Sequence, residues 1–327
     1  MTDFPAPEGL RHAVLLNGKG GAINFDWSKV DAWSAEQGCL WLHFDFEDAD
    51  VGEWLYKHSG LGELAVEALL SQETRPRTQA LRDLLLLALR GVNLNPGSDP
   101  EDMVSIRLWT DGKRIISTGR RQLLSTSDVL ERLEAGDGPL DTGELIVDLI
   151  DRIVMRMSDT VDDFEDKVLD LEERVLSMTP AALRYDLAQL RKQTIAIRRY
   201  LAPQREALNR LAMEKLSWMN ESGQLRLREI SDRLIRHIED IDAVRERAAL
   251  AQEELQSRLS EQMNERMYVL SVVAAIFLPL GFFTGLMGIN VGGMPGVEHQ
   301  GAFWVVIGLC IGLSLLLAMV FRWRKWF

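Results

Sequence analysis

The chain has 327 residues, with 49 acidic against 37 basic side chains and a net charge of −12. That balance excludes a surface built to grip nucleic-acid phosphates and suits cations, although acid on a soluble domain also serves solubility alone. Two cysteines, Cys39 and Cys310, make neither a disulfide framework nor a paired thiolate metal site, and Met1 to Leu10 has neither the basic start nor the apolar core of a signal peptide.

To about Ser125, short strand-like runs alternate with turns: 13–16 before Asn17-Gly18, 40–46, 84–92, 103–109, and 114–118 after Asp111-Gly112. This predicts a mixed α/β domain whose sheet is covered by helices over 64–70 and 127–133, the second capped by Ser127. Gly136-Asp137-Gly138-Pro139 is a breaker cluster, so the first domain is expected over residues 1–140. The β signal then gives way to helical tracts at 142–176, at 180–213 and from near Gly223, expected to form a helical region with a long stalk over 141–265.

From Gln224 to Leu278 there is no Gly or Pro, and Leu227, Ile230, Leu234, Ile238, Ile241, Val244, Leu255, Leu259 and Met263 recur at three- and four-residue steps. The stripe continues through Met267 and Leu270, so stalk and first membrane helix are expected as one rod of roughly 65 residues, on the order of 100 Å. Such a rod is expected to pack against copies of itself and against the acidic helices at 159–176 and 181–201.

The tail, 266–327, reads as a membrane domain: residues 267–297 and 302–321 carry almost no charge. About 20 apolar residues at ~1.5 Å each cross the ~30 Å hydrocarbon core, which places a first span at about 267–289 and a second at about 302–321. The loop between them, 290–301, holds one acid, Glu298, whereas Arg266 precedes the first span and Arg322, Arg324 and Lys325 follow the second in the basic end 322–327. Positive charge stays cytoplasmic, so a multi-pass protein with both termini inside is expected.

Two spans enclose no aqueous path, so transport requires several chains around an axis; a membrane tether or sensor requires none. Met267, Leu270 or Ser271, Ala274, Leu278, Gly281, Thr284 or Gly285, and Gly288 share one face of the first span. A ring of such faces makes a narrow, mostly apolar tube; alternatively the glycines allow close helix contact, which these residues alone slightly favour. Gly288-Ile289-Asn290 shifts the balance, because a ring of Asn290 amide oxygens offers uncharged contacts to a hydrated cation. The same tripeptide also ends ordinary helices.

Further candidates divide between function and a plain solvated surface. Glu298 and His299 suit cation capture in the loop, and Glu253, Glu254, Glu261 and Glu265 suit an inner vestibule. Asp159, Asp162, Asp163, Glu165, Asp166, Asp170, Glu172 and Glu173 crowd one helix as either a cation-drawing collar or a solvated face. His12, His43, His58 and His237 are scattered, with no partner at metal-ligand spacing, and no nucleotide-binding loop appears. The chain reads as no enzyme, needing no cofactor.

Gly285-Leu286-Met287-Gly288-Ile289-Asn290, then Gly292-Gly293-Met294-Pro295-Gly296 and a Lys325-Trp326 ending, resembles the CorA metal-ion transporter family, and more closely its ZntB-type zinc transporter branch. Glu73-Thr74-Arg75-Pro76-Arg77, Arg191-Lys192-Gln193, the run from Arg198 to Arg205 and Leu278-Pro279 extend the likeness over nearly the whole chain. The family signature is usually Gly-Met-Asn; Ile289 stands at the Met position, which favours zinc and puts a magnesium role in doubt. The resemblance implies a CorA-like homopentamer with a cytoplasmic funnel over 141–265, set in a bacterial inner membrane with its second span facing lipid and with divalent cations as partners; on charge alone, nucleic acid is no partner. It implies a pore lined by the first span, with Asn290 as the outer selectivity ring contacting a hydrated ion and Met267, Leu270 and Leu278 as constrictions. Zinc is then the transported ion, taken up with protons; the alternatives are zinc efflux, a magnesium or cobalt channel, or the non-transporting tether or sensor.

Overall fold

The computed structural model describes residues 4–72, 74–177, 182–289, 296 and 300–323. The chain falls into two compact units, Met1–Glu253 and Glu254–Phe327.

The first unit opens with strands β1 (Leu10–Leu16), β2 (Ala22–Asn24) and β3 (Leu40–Asp45), then helices α1 (Ala49–Lys57) and α2 (Glu63–Leu70). Strands β4 (Arg77–Leu81), β5 (Leu84–Gly91), β6 (Val104–Thr110) and β7 (Arg114–Gly119) follow, and helix α3 (Leu124–Ala135) closes the set. They form one sheet in the order β2-β1-β3-β7-β6-β5-β4. Only the β3–β7 pair is parallel, so the segment between these two strands must cross over, carrying α1 and α2 onto one face. There Val51, Trp54, Leu55, Val66 and Leu69 bury Leu42, Phe44, Trp109 and Ile116. The longer helices below cover the other face, which explains why β5 reads Leu-Leu-Leu-Leu-Ala-Leu and does not alternate.

Three elements here escape the sequence pattern. β2 has three residues, too few for a period, and β4 (Arg-Thr-Gln-Ala-Leu) buries only Thr78, whose hydroxyl donates to the Ala207 carbonyl at 2.7 Å. α1 carries Gly52 in its interior and is held by tertiary contact and by Asp48, which accepts from the Asp50 N–H at 2.8 Å. Ser127 is not the cap of α3: that helix starts at Leu124 after Leu123, with no side-chain cap. Burial of Leu123 sets the start, and Ser127 sits inside the helix, accepting from the Gln122 amide at 3.1 Å. The stop was legible, since Gly136 ends α3 at φ 78°, a left-handed conformation that glycine adopts freely.

Three long helices come next: α4 (Thr142–Ser177), α5 (Ala182–Met213) and α6 (Glu221–Met287). The stripe of α6 from Leu227 through Ile230, Leu234, Ile241 and Val244 to Ala251 is buried within this single chain. α4 and α5 cover that stretch, the packing expected against the helices at 159–176 and 181–201, and copies of the chain are not needed there. Polar contacts mark both seams: Arg233 donates to Asp151 at 2.8 Å and Arg247 to Glu172 on the α4 side, Arg198 to Asp242 at 2.5 Å and Arg191 to Gln252 at 2.7 Å on the α5 side. These pairs are partly exposed and fix register more than they add stability. The α5–α6 connection is tied to the sheet, with the Trp218 indole N–H on the Asp83 carbonyl at 2.9 Å.

In the second unit α6 continues to Met287, and α7 spans Ala302–Trp323. Both helices have a stretch long and apolar enough to cross a membrane. Pro279 lies inside α6 without ending it; its missing N–H leaves the Ala275 carbonyl without its usual helical donor.

Candidate functional site

The candidate residues on the first span lie on the continuous helix α6. Met267, Leu270 and Leu278 are exposed by 60%, 64% and 72%, far above what a core position shows, so none of the described residues covers that face. Ser271, Gly281, Thr284 and Gly285 are exposed with them and Ala274 is half-buried. The Ser271 hydroxyl donates to the Met267 carbonyl at 2.8 Å and the Thr284 hydroxyl to the Leu280 carbonyl at 2.9 Å. Their protons are thus spent inside the helix, and what each oxygen still offers outward is lone pairs, the polarity that suits a cation. A Cβ at Gly281 or Gly285 would meet nothing within 4 Å, so packing inside one chain does not require glycine there. The helix closes at Gly288, whose N–H reaches the Thr284 and Gly285 carbonyls at 3.0 and 3.1 Å. Ile289 follows, exposed; Asn290, Glu298 and His299 lie outside the described residues, as do Glu73, Arg324 and Lys325.

Of the acids expected near an inner vestibule, Glu253, Glu254, Glu261 and Glu265 are all exposed, and Glu254 accepts from Arg258 at 2.6 Å. The acidic run on α4 is partly neutralised: Asp163 pairs with Lys167, Asp170 with Arg174 and Glu172 with Arg247. Arg120 pairs with Glu47, Arg121 with Asp102, and Arg199 lies over the Tyr200 ring, so these arginine pairs serve the fold. Among the described residues no group of three or more metal-binding side chains gathers.

Two histidines that look scattered in sequence are brought together by strand register. His12 of β1 faces His43 of β3, their rings stacked 4.9 Å apart. Ser117 Oγ accepts from the Trp41 indole N–H at 2.8 Å and lies 2.8 Å from His43 Nδ1. Burial, then the neighbouring His43, pushes His12 down to about 2, and burial, then Arg11, pushes His43 down to about 4. Both rings are therefore neutral in the fold, while the unfolded chain takes up protons near the ordinary 6.5. Their contribution to stability is complete above pH 6.5 and is lost as pH falls towards 4, because the unfolded chain then binds protons that the folded rings refuse. Unfolding midpoints at about pH 7 and about pH 5 should therefore fall further for the native chain than for a His12→Gln/His43→Gln variant. Equal falls would exclude this account.

Buried Arg107 was also not singled out by the sequence. It is 2% exposed, donates to the Gln72 carbonyl at 3.1 Å and lies over the Phe46 ring; burial, then Arg90 and Arg77, lowers its pKa to about 10. A groove of about 990 Å³ between α2 and the β4–β5 hairpin is lined by residues that include Leu64, Ala68, Leu81, Leu84 and Trp109, and none of the candidate residues lines it.

A mixed sheet, a long helix that ends in an apolar stretch and a second apolar helix, both long and apolar enough to cross a membrane among the described residues, have the architecture of a membrane protein. Residues 36–324 match the family described as CorA-like Mg2+ transporter protein. The chain is 39% identical to the Divalent cation transporter CmaX of Pseudomonas aeruginosa over 97% of each chain, and 38% identical to the Zinc transport protein ZntB of Yersinia enterocolitica over 96% of this chain and 95% of that one. The full-length CmaX structure superposes with a TM-score of 0.86 at 38% identity, covering 98% of this chain and 99% of that one. The CorA magnesium transporter of Methanocaldococcus jannaschii shares the fold alone, with a TM-score of 0.81 at 18% identity over 97% and 99%. This chain belongs to the CorA-like transporter family. It is a divalent cation transporter and not an enzyme.

Proposed function

We propose that the chain is the subunit of a zinc transporter of a bacterial inner membrane, five copies of which enclose a pore lined by the first span. The observation that carries this is the 38% identity, over 96% of the chain, to a protein named for zinc transport. In this reading Asn290 forms the outer oxygen ring after Gly288 and Ile289, Glu298 and His299 gather cations outside, and Glu254, Glu261 and Glu265 line the inner vestibule. Zinc crosses hydrated, with protons driving uptake, because a closed tetrahedral site needs three or four Cys, His or carboxylate ligands and would release the ion slowly.

A second reading, a channel for divalent cations more broadly, is favoured by the 39% identity to CmaX. Flux into proteoliposomes separates them: zinc entry accelerated by an inward proton gradient and unaffected by excess magnesium supports the first, and competition by magnesium supports the second. Flux in the reverse direction only would mean efflux, and no flux at all would leave a tether or sensor. Five copies would appear as a pentamer mass in detergent.

Topology is tested at Gly296, in a chain whose Cys39 and Cys310 are replaced by alanine. With both termini inside, Gly296→Cys should react with an impermeant thiol reagent from the outer side. Labelling from the cytoplasmic side alone would end the pore as drawn.

A further inference from the structure

α4 and α6 run side by side in the same direction, and polar contacts space out their seam. Asp151 meets Arg226 at 3.5 Å and Arg233 at 2.8 Å near one end, and further along the two Glu172 carboxylate oxygens accept from Nε and Nη2 of Arg247. Between them His237 is 8% exposed, its Nε2 3.3 Å from Ser158 Oγ across the seam. The flanking pairs join arginine to carboxylate, whereas histidine is the side-chain type that changes charge between about pH 5 and 8.

The charges acting on this ring come from both helices: Arg233, Arg236 and Asp240 on α6, and Asp162 on α4. On α5, on the other flank of α6, Arg198 is engaged by Asp242 and is not among the charges that act on the ring. Burial acts most strongly and holds the imidazole below the ordinary histidine range; the two arginines act in the same direction, and Asp240 and Asp162 only partly oppose them. A proton placed on the ring is therefore a partly desolvated charge at a helix contact.

We infer that His237 is a proton-responsive contact in the cytoplasmic helices, and that proton uptake there loosens α4 from α6. The contact lies on the helix that runs unbroken to Met287, so the ligand, a proton, acts on the same element as the first span. This holds whichever cation the protein carries.

Hydrogen exchange of the full-length protein in detergent, read by mass spectrometry and corrected for the intrinsic pH dependence of exchange, tests it. Between about pH 7.5 and about pH 5.5, amides of 230–244 should lose protection by about tenfold in the native chain and keep it in His237→Gln. Asp162→Asn, which removes an acid favouring the charged ring, should move the loss to lower pH. Reading the two variants together leaves one to decide if the other folds poorly. An unchanged native chain, an equal loss in His237→Gln, or equal loss in β1 and β3, which would mark global unfolding, overturns the inference.

Discussion

Replacing Asn290 by alanine is expected to abolish selective cation flux while leaving assembly and yield unchanged. Asn290 follows a helix that closes at Gly288 and an exposed Ile289, so its amide is expected to carry little packing. Its proposed role is chemical: uncharged oxygens replace outer-shell water contacts without holding the ion. Asn290→Asp is the sharper probe, because a ring of carboxylates should hold a divalent cation too tightly for fast release, giving tighter binding with slower flux. Proteoliposome flux and equilibrium binding, measured on the same preparations, check both. Normal flux in Asn290→Ala would reduce Asn290 to a helix cap.

Trp54→Ala should be the most destabilising single change in the α/β unit. The indole is 1% exposed, with ring centres 5.2 Å from Trp27 and 5.1 Å from Phe44, and it anchors α1 to the sheet. Removing so large a buried side chain costs about 3–5 kcal/mol, since the cavity collapses only partly. Trp54→Phe should cost far less, because the ring stays and the buried indole N–H, which has no hydrogen-bond partner among the described residues, goes. Thermal unfolding of the purified protein should rank native, Trp54→Phe and Trp54→Ala in that order. Equal midpoints for native and Trp54→Ala would mean that α1 contributes nothing to the unit.

The sequence was enough for whatever depends on period and composition. The stripe of α6, the uncharged tracts on either side of the loop and the runs of β3, β5, β6 and β7 show on one strand of text, because each element's own residues carry its burial pattern. Residue identity at Gly285 to Asn290, with the Pro279 span, was enough for the family. Tertiary structure decided what depends on neighbours distant in sequence. β2 and β4 are strands because partners hold them, and α3 starts where Leu123 is buried, three residues before the serine that looked like its cap. The α6 stripe was expected to meet both the helices at 159–176 and 181–201 and copies of the chain, and α4 and α5 alone cover most of it, since a stripe records that a face is buried and not by what. His12 and His43, 31 positions apart, meet only through strand register, and His237 finds Ser158 only because α4 and α6 are packed in parallel. Periodicity is local and survives in sequence; pairing is a property of the folded chain, where contacts are chosen by the packing of whole elements.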